Sequence, residues 1–364
     1  MLKMKKILLL FCICLFAACS NLQYVENSQA IKLDEAGDKA LGFSDVFLPV
    51  SVVPLETNAK CLLKNIHKVE QYNGKYYVLG EAEDYSVFVF DKDGKFCYSI
   101  GRKGHGKGEY VNANDFTIDR ENNRIVILSA PSKVYVYDIE GNFKESKKIS
   151  KSMIWNICSS PSGFIGVSNH LTFTEGKDAY LIYEFDKNFN LKQKQVPVLP
   201  NQIYSPSTLS SVFQQAGDDL YYVDSFSRKV YDVNKGEEDC LVYALDMLNP
   251  MPIKKFEKPQ DFLENQHKYD FLMDVIVLKN KILVAYIQNN KYCVEVLDRN
   301  GKKIRHGQYR GRFPNLYHGS NDVLLMPISA YSYVKDNMEE LLPKTKKKVS
   351  AGDNCLIVSC KLKK

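Results

Sequence analysis

Apolar and polar residues alternate along this chain in short runs of about four to eight residues, broken by Asp, Asn and Gly, which is the pattern of strands and tight turns. The clearest instance runs from Tyr85 to Tyr110. Val87 to Phe90 are β-branched and aromatic, which favours extended backbone. Asp91-Lys92-Asp93-Gly94 supplies a side-chain acceptor for local amides and a glycine able to take positive φ. Phe96 to Ile100 resume the strand, and a glycine-rich stretch, Gly101 to Gly108, leads away. Such a hairpin cannot bury its own apolar face, and it recurs. Val134 to Gly141, Ile182 to Asn190, Lys229 to Gly236 and Val294 to Gly301 repeat the pattern. Their aligned aspartates, Asp91, Asp138, Asp186, Asp232 and Asp298, are spaced by 47, 48, 46 and 66 residues. The long last interval carries an insertion, roughly Asn249 to Lys268. A period of this length with about four short strands per unit predicts the blades of a β-propeller.

Taken in order, the units are Ile66–Ile100, Phe116–Ile149, Ile154–Gln195, Leu209–Leu245 and Phe271–Arg305. Leu316–Ala330 and Asn354–Leu362 supply strands of a sixth, with Met338–Val349 as a charged connector. Phe47–Glu56 precedes the first whole unit, and an isolated terminal strand of this kind completes a blade made mostly by the other terminus, covering its open edge. The expected fold is all-β, a six-bladed β-propeller whose N-terminal strand closes the last blade. Five or seven blades stay open at this point, because of the insertion before Tyr269. Tyr269–Leu278 also fits a short helix, although the repeat favours a strand.

The N-terminus changes the picture of where this propeller works. Lys3, Lys5 and Lys6, then the apolar run Ile7–Leu15, then Phe16-Ala17-Ala18-Cys19 form a basic region, a short apolar core and a small-residue cleavage site. Leu15 to Cys19 is similar to a bacterial lipobox, which implies residues 1–18 as a lipoprotein signal peptide and Cys19 as the lipidated first mature residue. Residues 19–44 then read as a lipidated polar tether and 45–364 as the propeller. The formal charge of +6 falls to +3 once the three leader lysines are removed. The densest basic run, Lys344–Lys348, reads as a solvated loop, and no nucleic-acid partner is expected. Of ten cysteines, seven remain as unmodified thiols, dispersed and without a CxxC pair. No metal and no cofactor is implied by them, and a Cys355–Cys360 disulfide is left open.

On these residues the chain resembles the six-bladed propeller lipoproteins of gut bacteria, which are NHL-like in architecture. Val53-Pro54-Leu55-Glu56, the turn Phe90–Phe96 and the stretch Gly101–Tyr110 carry the resemblance. Relatives end that stretch in G-x-G-P-G-E-aromatic, and here Lys107 stands in the proline position. The resemblance implies the fold and an exported, membrane-anchored protein, and brings no catalytic set with it.

Gly101–Gly108 lacks the GxxxxGK[ST] spacing of a phosphate loop, and no helix clearly follows it. It reads first as a crossover between blades, with Glu109 tying the loop to its own amides, and second as a rim from which Arg102 and His105 reach a ligand. Arg305–Phe313 echoes it, adding Arg310 and Arg312 as ligand-facing candidates. The six histidines form no compact ligand set. The function read from the sequence is therefore a lipid-anchored extracytoplasmic binding or interaction module, with a glycan, peptide or outer-membrane partner protein as ligand. Ser20-Asn21-Leu22 lacks the acidic residues that resemble a surface-export tag, which favours the periplasmic face of the outer membrane. A hydrolase or lyase acting on a carbohydrate or lactone, and a structural subunit of an outer-membrane assembly, are the alternatives.

Overall fold

The computed structural model describes residues 28–363 apart from 36, 82–84, 130, 169–178, 199–208, 253–263, 320 and 346. The leader, Cys19 and His170 lie outside the described residues. Six sheets of four antiparallel blade strands are present. Blade one is Asn65–Tyr72, Lys75–Glu81, Tyr85–Asp91 and Phe96–Ile100, from inner to outer strand. Blade two is Asp115–Asp119, Arg124–Ser129, Lys133–Asp138 and Phe143–Lys148. Blade three is Asn156–Ser160, Gly163–Val167, Tyr180–Phe185 and Leu191–Pro197. Blade four is Phe213–Ala216, Asp219–Asp224, Lys229–Asp232 and Leu241–Asp246. Blade five is Phe271–Val277, Lys281–Gln288, Lys291–Asp298 and Lys303–Tyr309. Blade six takes Tyr317–His318, Leu324–Ile328 and Leu356–Leu362 from the C-terminal end and Phe47–Pro54 from the N-terminal end. The count is thus six, and Phe271–Val277 is a strand where a short helix had also fitted.

The turn aspartates do what their chemistry predicts. Asp91 Oδ1 accepts from the amides of Asp93 and Lys95, both at 2.9 Å, and Asp138, Asp186 and Asp298 repeat this bond for bond. Asp232, in the loosest copy, keeps one such bond, to Asn234 at 3.1 Å. Gly94, Gly141 and Gly301 fill the positive-φ position of this turn, and Phe189 holds it in blade three at φ 59°. Phe189 is buried and stacked on Phe164 at 4.4 Å, so packing holds the backbone that glycine would adopt freely.

Strand residues point alternately to the two faces of a sheet, and in the second and third strands of the blades both faces are buried. In blade one, Tyr77, Leu79, Val87 and Val89 pack toward blade two, and Tyr76, Val78, Phe88 and Phe90 toward blade six. The apolar residues fall into six clusters, each lodged between two neighbouring blades, so stability is spread around the ring. The segment read as a tether is built into the fold where it is described. Gln29–Lys32 adds a parallel fifth strand to the outer edge of blade four, and Ala40–Leu41 does so on blade five. Ile31, Leu33 and Leu41 are buried by this strap.

The sixth blade's long connection opens with a short helix, Ala330–Lys335, capped by Ser329, whose Oγ accepts from Ser332 N at 3.1 Å. Met338–Glu340 forms a 3₁₀ turn after it. Cys355 and Cys360 are free thiols. Five residues apart along one extended stretch, their backbones are separated by about 16 Å, beyond disulfide reach.

Candidate ligand-binding face

The strand order gives the ring two unlike faces. Links from first to second strand and from third to outer strand within a blade emerge at one face. Links from second to third strand, and from each blade to the next, emerge at the other. On the first face the longest link is Val233–Cys240. Every longer connection belongs to the second face: 55–64, 101–114, 168–179, 198–212, 247–270 and 329–355. The inner strands enter the ring from that same face, so their first residues stand at its channel mouth.

Near that mouth four of the six inner strands carry a polar residue at one common level. Lys68, Asp115, Asn156 and Asp274 pair respectively with Leu79, Leu128, Val167 and Ala285, each the fifth residue of its blade's second strand, and so form one layer around the axis. Lys68 Nζ lies 2.9 Å from Asp115 Oδ1 and 2.6 Å from the Phe116 carbonyl, with Glu70 Oε1 at 3.6 Å. Burial opposes the charge on Lys68, but the carboxylates of Asp115 and Glu70 outweigh it and raise the ammonium's pKa. Burial also raises Glu70, against the pull of Lys68 and Arg120. Asp115 Oδ2 accepts from the Ile157 amide at 2.9 Å and from Asn156 Nδ2 at 3.2 Å, stitching blade two to blade three. Beside them the Cys158 thiol is pushed up to about 12 by burial, although Lys68 pulls the other way, so it stays protonated and unreactive.

Across the ring, Ser210 Oγ donates to Asp274 Oδ2 at 2.5 Å and accepts from the Leu316 amide at 3.0 Å. Burial raises the Asp274 carboxyl to about 7, the Ser210 bond opposing it. His318 Nε2 meets Gln214 Oε1 at 2.5 Å, and burial lowers this imidazole to about 4 in spite of Asp322 nearby. The mouth therefore holds a paired ammonium and carboxylate on one side and, at neutral pH, a half-titrated carboxyl on the other, whereas the neutral His318 imidazole, on a residue paired with Leu324 at the start of blade six's second strand, lies toward the short-turn end of the channel. Among the described residues no group of three or more His, Cys, Asp or Glu is placed to hold a metal ion. A cavity of about 370 Å³ opens elsewhere, at the Lys235–Asp239 turn of blade four on the short-turn face, and gathers no comparable set of polar groups.

The four rim candidates all sit on connections of the long-link face, but not together. In Gly101–Tyr110, Glu109 Oε1 takes Arg102 Nη2 at 2.6 Å and its Oε2 accepts from the Gly106 amide at 2.9 Å. The Gly106 amide, then Arg102, hold the Glu109 carboxyl below the usual carboxylate range. The loop end is pinned by buried Tyr110, whose hydroxyl donates to the Ile100 carbonyl at 2.9 Å. Arg102 is therefore a clasp of its own loop with an exposed outer surface, and His105 is exposed at the loop tip. Arg310 and Arg312 are exposed on the crossover from blade five to six, with blades six and one between them and the Arg102 loop. The polar channel layer escaped the sequence reading, although Lys68 and Asp115 stand 47 residues apart, one repeat length.

A family model described as a domain of unknown function, DUF4934, matches residues 28–361. The chain belongs to this family. The match begins at the strap, in keeping with the strap's place in the fold. Among solved structures, a putative exported protein of Bacteroides fragilis NCTC 9343 superposes with a TM-score of 0.70 at 20% identity, over 93% of this chain and 99% of that one. A member of the DUF4221 family from Bacteroides vulgatus ATCC 8482 gives a TM-score of 0.57 at 10% identity, over 88% of this chain and 99% of that one. No curated protein matches the sequence. These likenesses establish a propeller fold related to proteins of Bacteroides. No helix among the described residues is long and apolar enough to cross a membrane.

Proposed function

We propose that this DUF4934 protein is a lipid-anchored, extracytoplasmic binding module that takes a glycan, a peptide or a partner protein at the long-link face of its propeller. The observation that carries the reading is the asymmetry of the ring: every connection longer than Val233–Cys240 leaves and rejoins the blades at the face where the polar channel layer opens. Strands keep the scaffold while such connections are free to vary in contacts. Arg102, His105, Arg310 and Arg312 serve as its rim, the arginines offering planar donors to carboxylate or hydroxyl groups. Cys19 carries the acyl chains, and the periplasmic leaflet of the outer membrane is the favoured site.

Two measurements test this. Cys19→Ala should abolish acyl labelling and release the protein from the membrane fraction, and unchanged fractionation would remove the anchor. Titration of the chain from Ser20 onward with glycan and peptide panels should give saturable binding that falls about tenfold on losing one charged contact. Equal affinity in Arg102→Ala, His105→Ala, Arg310→Ala and Arg312→Ala would remove the rim.

One observation favours a second reading, a hydrolase or lyase acting on a carbohydrate or lactone: Asp274, with a carboxyl near neutrality, beside the serine that spans to blade six. Turnover of such a substrate that disappears in Asp274→Asn would select it over binding alone.

A further inference from the structure

The exposed large apolar side chains are unevenly distributed. Among the described residues none lies on a short-turn link; Leu48, Val50, Leu191 and Ile304 lie on outer strands, Leu248 on the crossover from blade four to five, and Leu62, Val111, Tyr331, Val334 and Leu341 on long-link connections from blade six to the crossover between blades one and two. Two of these connections are physically joined. Asn354, at the end of the blade-six connection, accepts from the Leu63 amide at 2.8 Å and donates to the carbonyls of Glu56 and Cys61, both at 2.7 Å. Leu62 is thus tied to the C-terminal end of the connection whose earlier part, packed over the cluster between blades five and six, bears Tyr331, Val334 and Leu341. In the short helix, Ala330 and Tyr333 face the core, which turns Tyr331 and Val334 outward.

The same sector is rich in lysine. Lys60 and Lys64 flank Leu62, and Lys103 and Lys107 precede Val111, all exposed. Lys344, Lys347 and Lys348 are exposed on the blade-six connection, and Lys335 lies over the Tyr331 ring at 5.2 Å. Of the acids of this sector, Asp336 and Glu340 are exposed beside Val334 and Leu341, outnumbered by the lysines, and three others are occupied internally. Glu56 accepts from the Phe96 amide, Glu109 holds Arg102 and Gly106, and Asp353 accepts from the Ser350 amide.

From this juxtaposition we infer that the long-link side of blades six and one docks on an anionic lipid surface. Dispersed apolar tips set among lysines suit a headgroup layer, where each apolar tip enters alone and each lysine gains from the negative surface potential. A protein partner is served less well, because interface cores are depleted in lysine and need a contiguous apolar centre. A glycan would ask for aromatic platforms, and among the exposed large hydrophobic residues here Tyr331 alone is aromatic. The inference concerns how the propeller sits on a membrane, and it stands apart from the ligand reading above, which is tested in solution without lipid.

The test is co-sedimentation of the unacylated chain from Ser20, which contains all six blades and the strap, with phosphatidylcholine vesicles with or without phosphatidylglycerol. Binding is expected to the anionic vesicles only and to fall as salt rises. Replacing Lys344, Lys347 and Lys348 with Gln should weaken it about a hundredfold. Tyr331→Ser with Leu341→Ser should weaken it with the salt dependence retained, and both variants should melt with the parent. Failure of the parent to bind anionic vesicles overturns the inference, as does equal binding to neutral ones or parental affinity in the lysine variant.

Discussion

Asp274, at the channel mouth, and His318, toward the short-turn end of blade six's inner strand, are buried groups that make stability depend on pH in opposite directions. The folded Asp274 carboxyl holds its proton up to about 7, against 3.8 when unperturbed, so stability falls as pH rises through that window. The folded His318 imidazole refuses a proton down to about 4, against 6.5, so stability falls as pH drops from 6.5 toward 4. Where the windows overlap the two slopes, each at most about 1.4 kcal/mol per pH unit, oppose one another. His318→Gln should therefore expose the Asp274 slope, with stability declining from pH 4 to 7. Asp274→Asn should expose the opposite slope, stability rising from pH 4 to 6.5. Urea midpoints against pH for the two variants and the parent check this, and parallel profiles would show that neither group titrates as its surroundings dictate. Neither residue stands out in the sequence: Asp274 lies in FLMDVIV, an otherwise apolar strand, and only the packing of blade five against blade four brings it to Ser210, 64 residues away.

At the scale of elements, the blades were legible because their defining bonds are local. The turn from Asp138 to Asn142 is specified within five residues, and the same is true of its copies. The strap was not legible, because a parallel strand added to an edge leaves no local mark. Gln29–Lys32 and Ala40–Leu41 offer only Ile31, Leu33 and Leu41 as apolar contacts, and their partners lie more than 200 residues away. What fixes the strap is Glu295, buried in blade five. Its Oε1 accepts from the Asp34 amide at 2.8 Å and from the Tyr286 hydroxyl at 3.0 Å, while Tyr286 also donates to the Asp34 carbonyl at 3.0 Å. Lys303 pairs with both Glu295 and Asp34. Glu295→Ala removes a buried acceptor and leaves Lys303 half-paired, at a cost of about 2–3 kcal/mol. Hydrogen exchange should then quicken at the strap amides from Gln29 to Leu41 and stay slow in blade one. Uniform acceleration would mean that the strap is no separate unit.

For the whole molecule, the six inter-blade clusters make stability a property of the closed ring, and closure rests on one strand. Phe47–Pro54 pairs along Leu356–Leu362, and Lys363 N reaches the Val46 carbonyl at 2.9 Å, so the two ends of the chain meet within blade six. Pro49 and Pro54 and the lack of a further partner mark this strand as an edge that another strand cannot easily extend. The strap lies outside that closure. Removing the chain through Leu41 uncovers the outer edges of blades four and five and exposes Ile31, Leu33 and Leu41's former contacts, at most about 2 kcal/mol for each side chain. The ring itself stays closed, so unfolding should remain a single cooperative transition at a lower midpoint. Removing the chain through Pro54 instead opens Leu356–Leu362 and unroofs the clusters on both sides of blade six. That variant should lose the single transition and aggregate through its bare edge. Calorimetry of the two truncations separates a covering from a closure, and identical melting of both would show that the ring does not depend on its N-terminal strand.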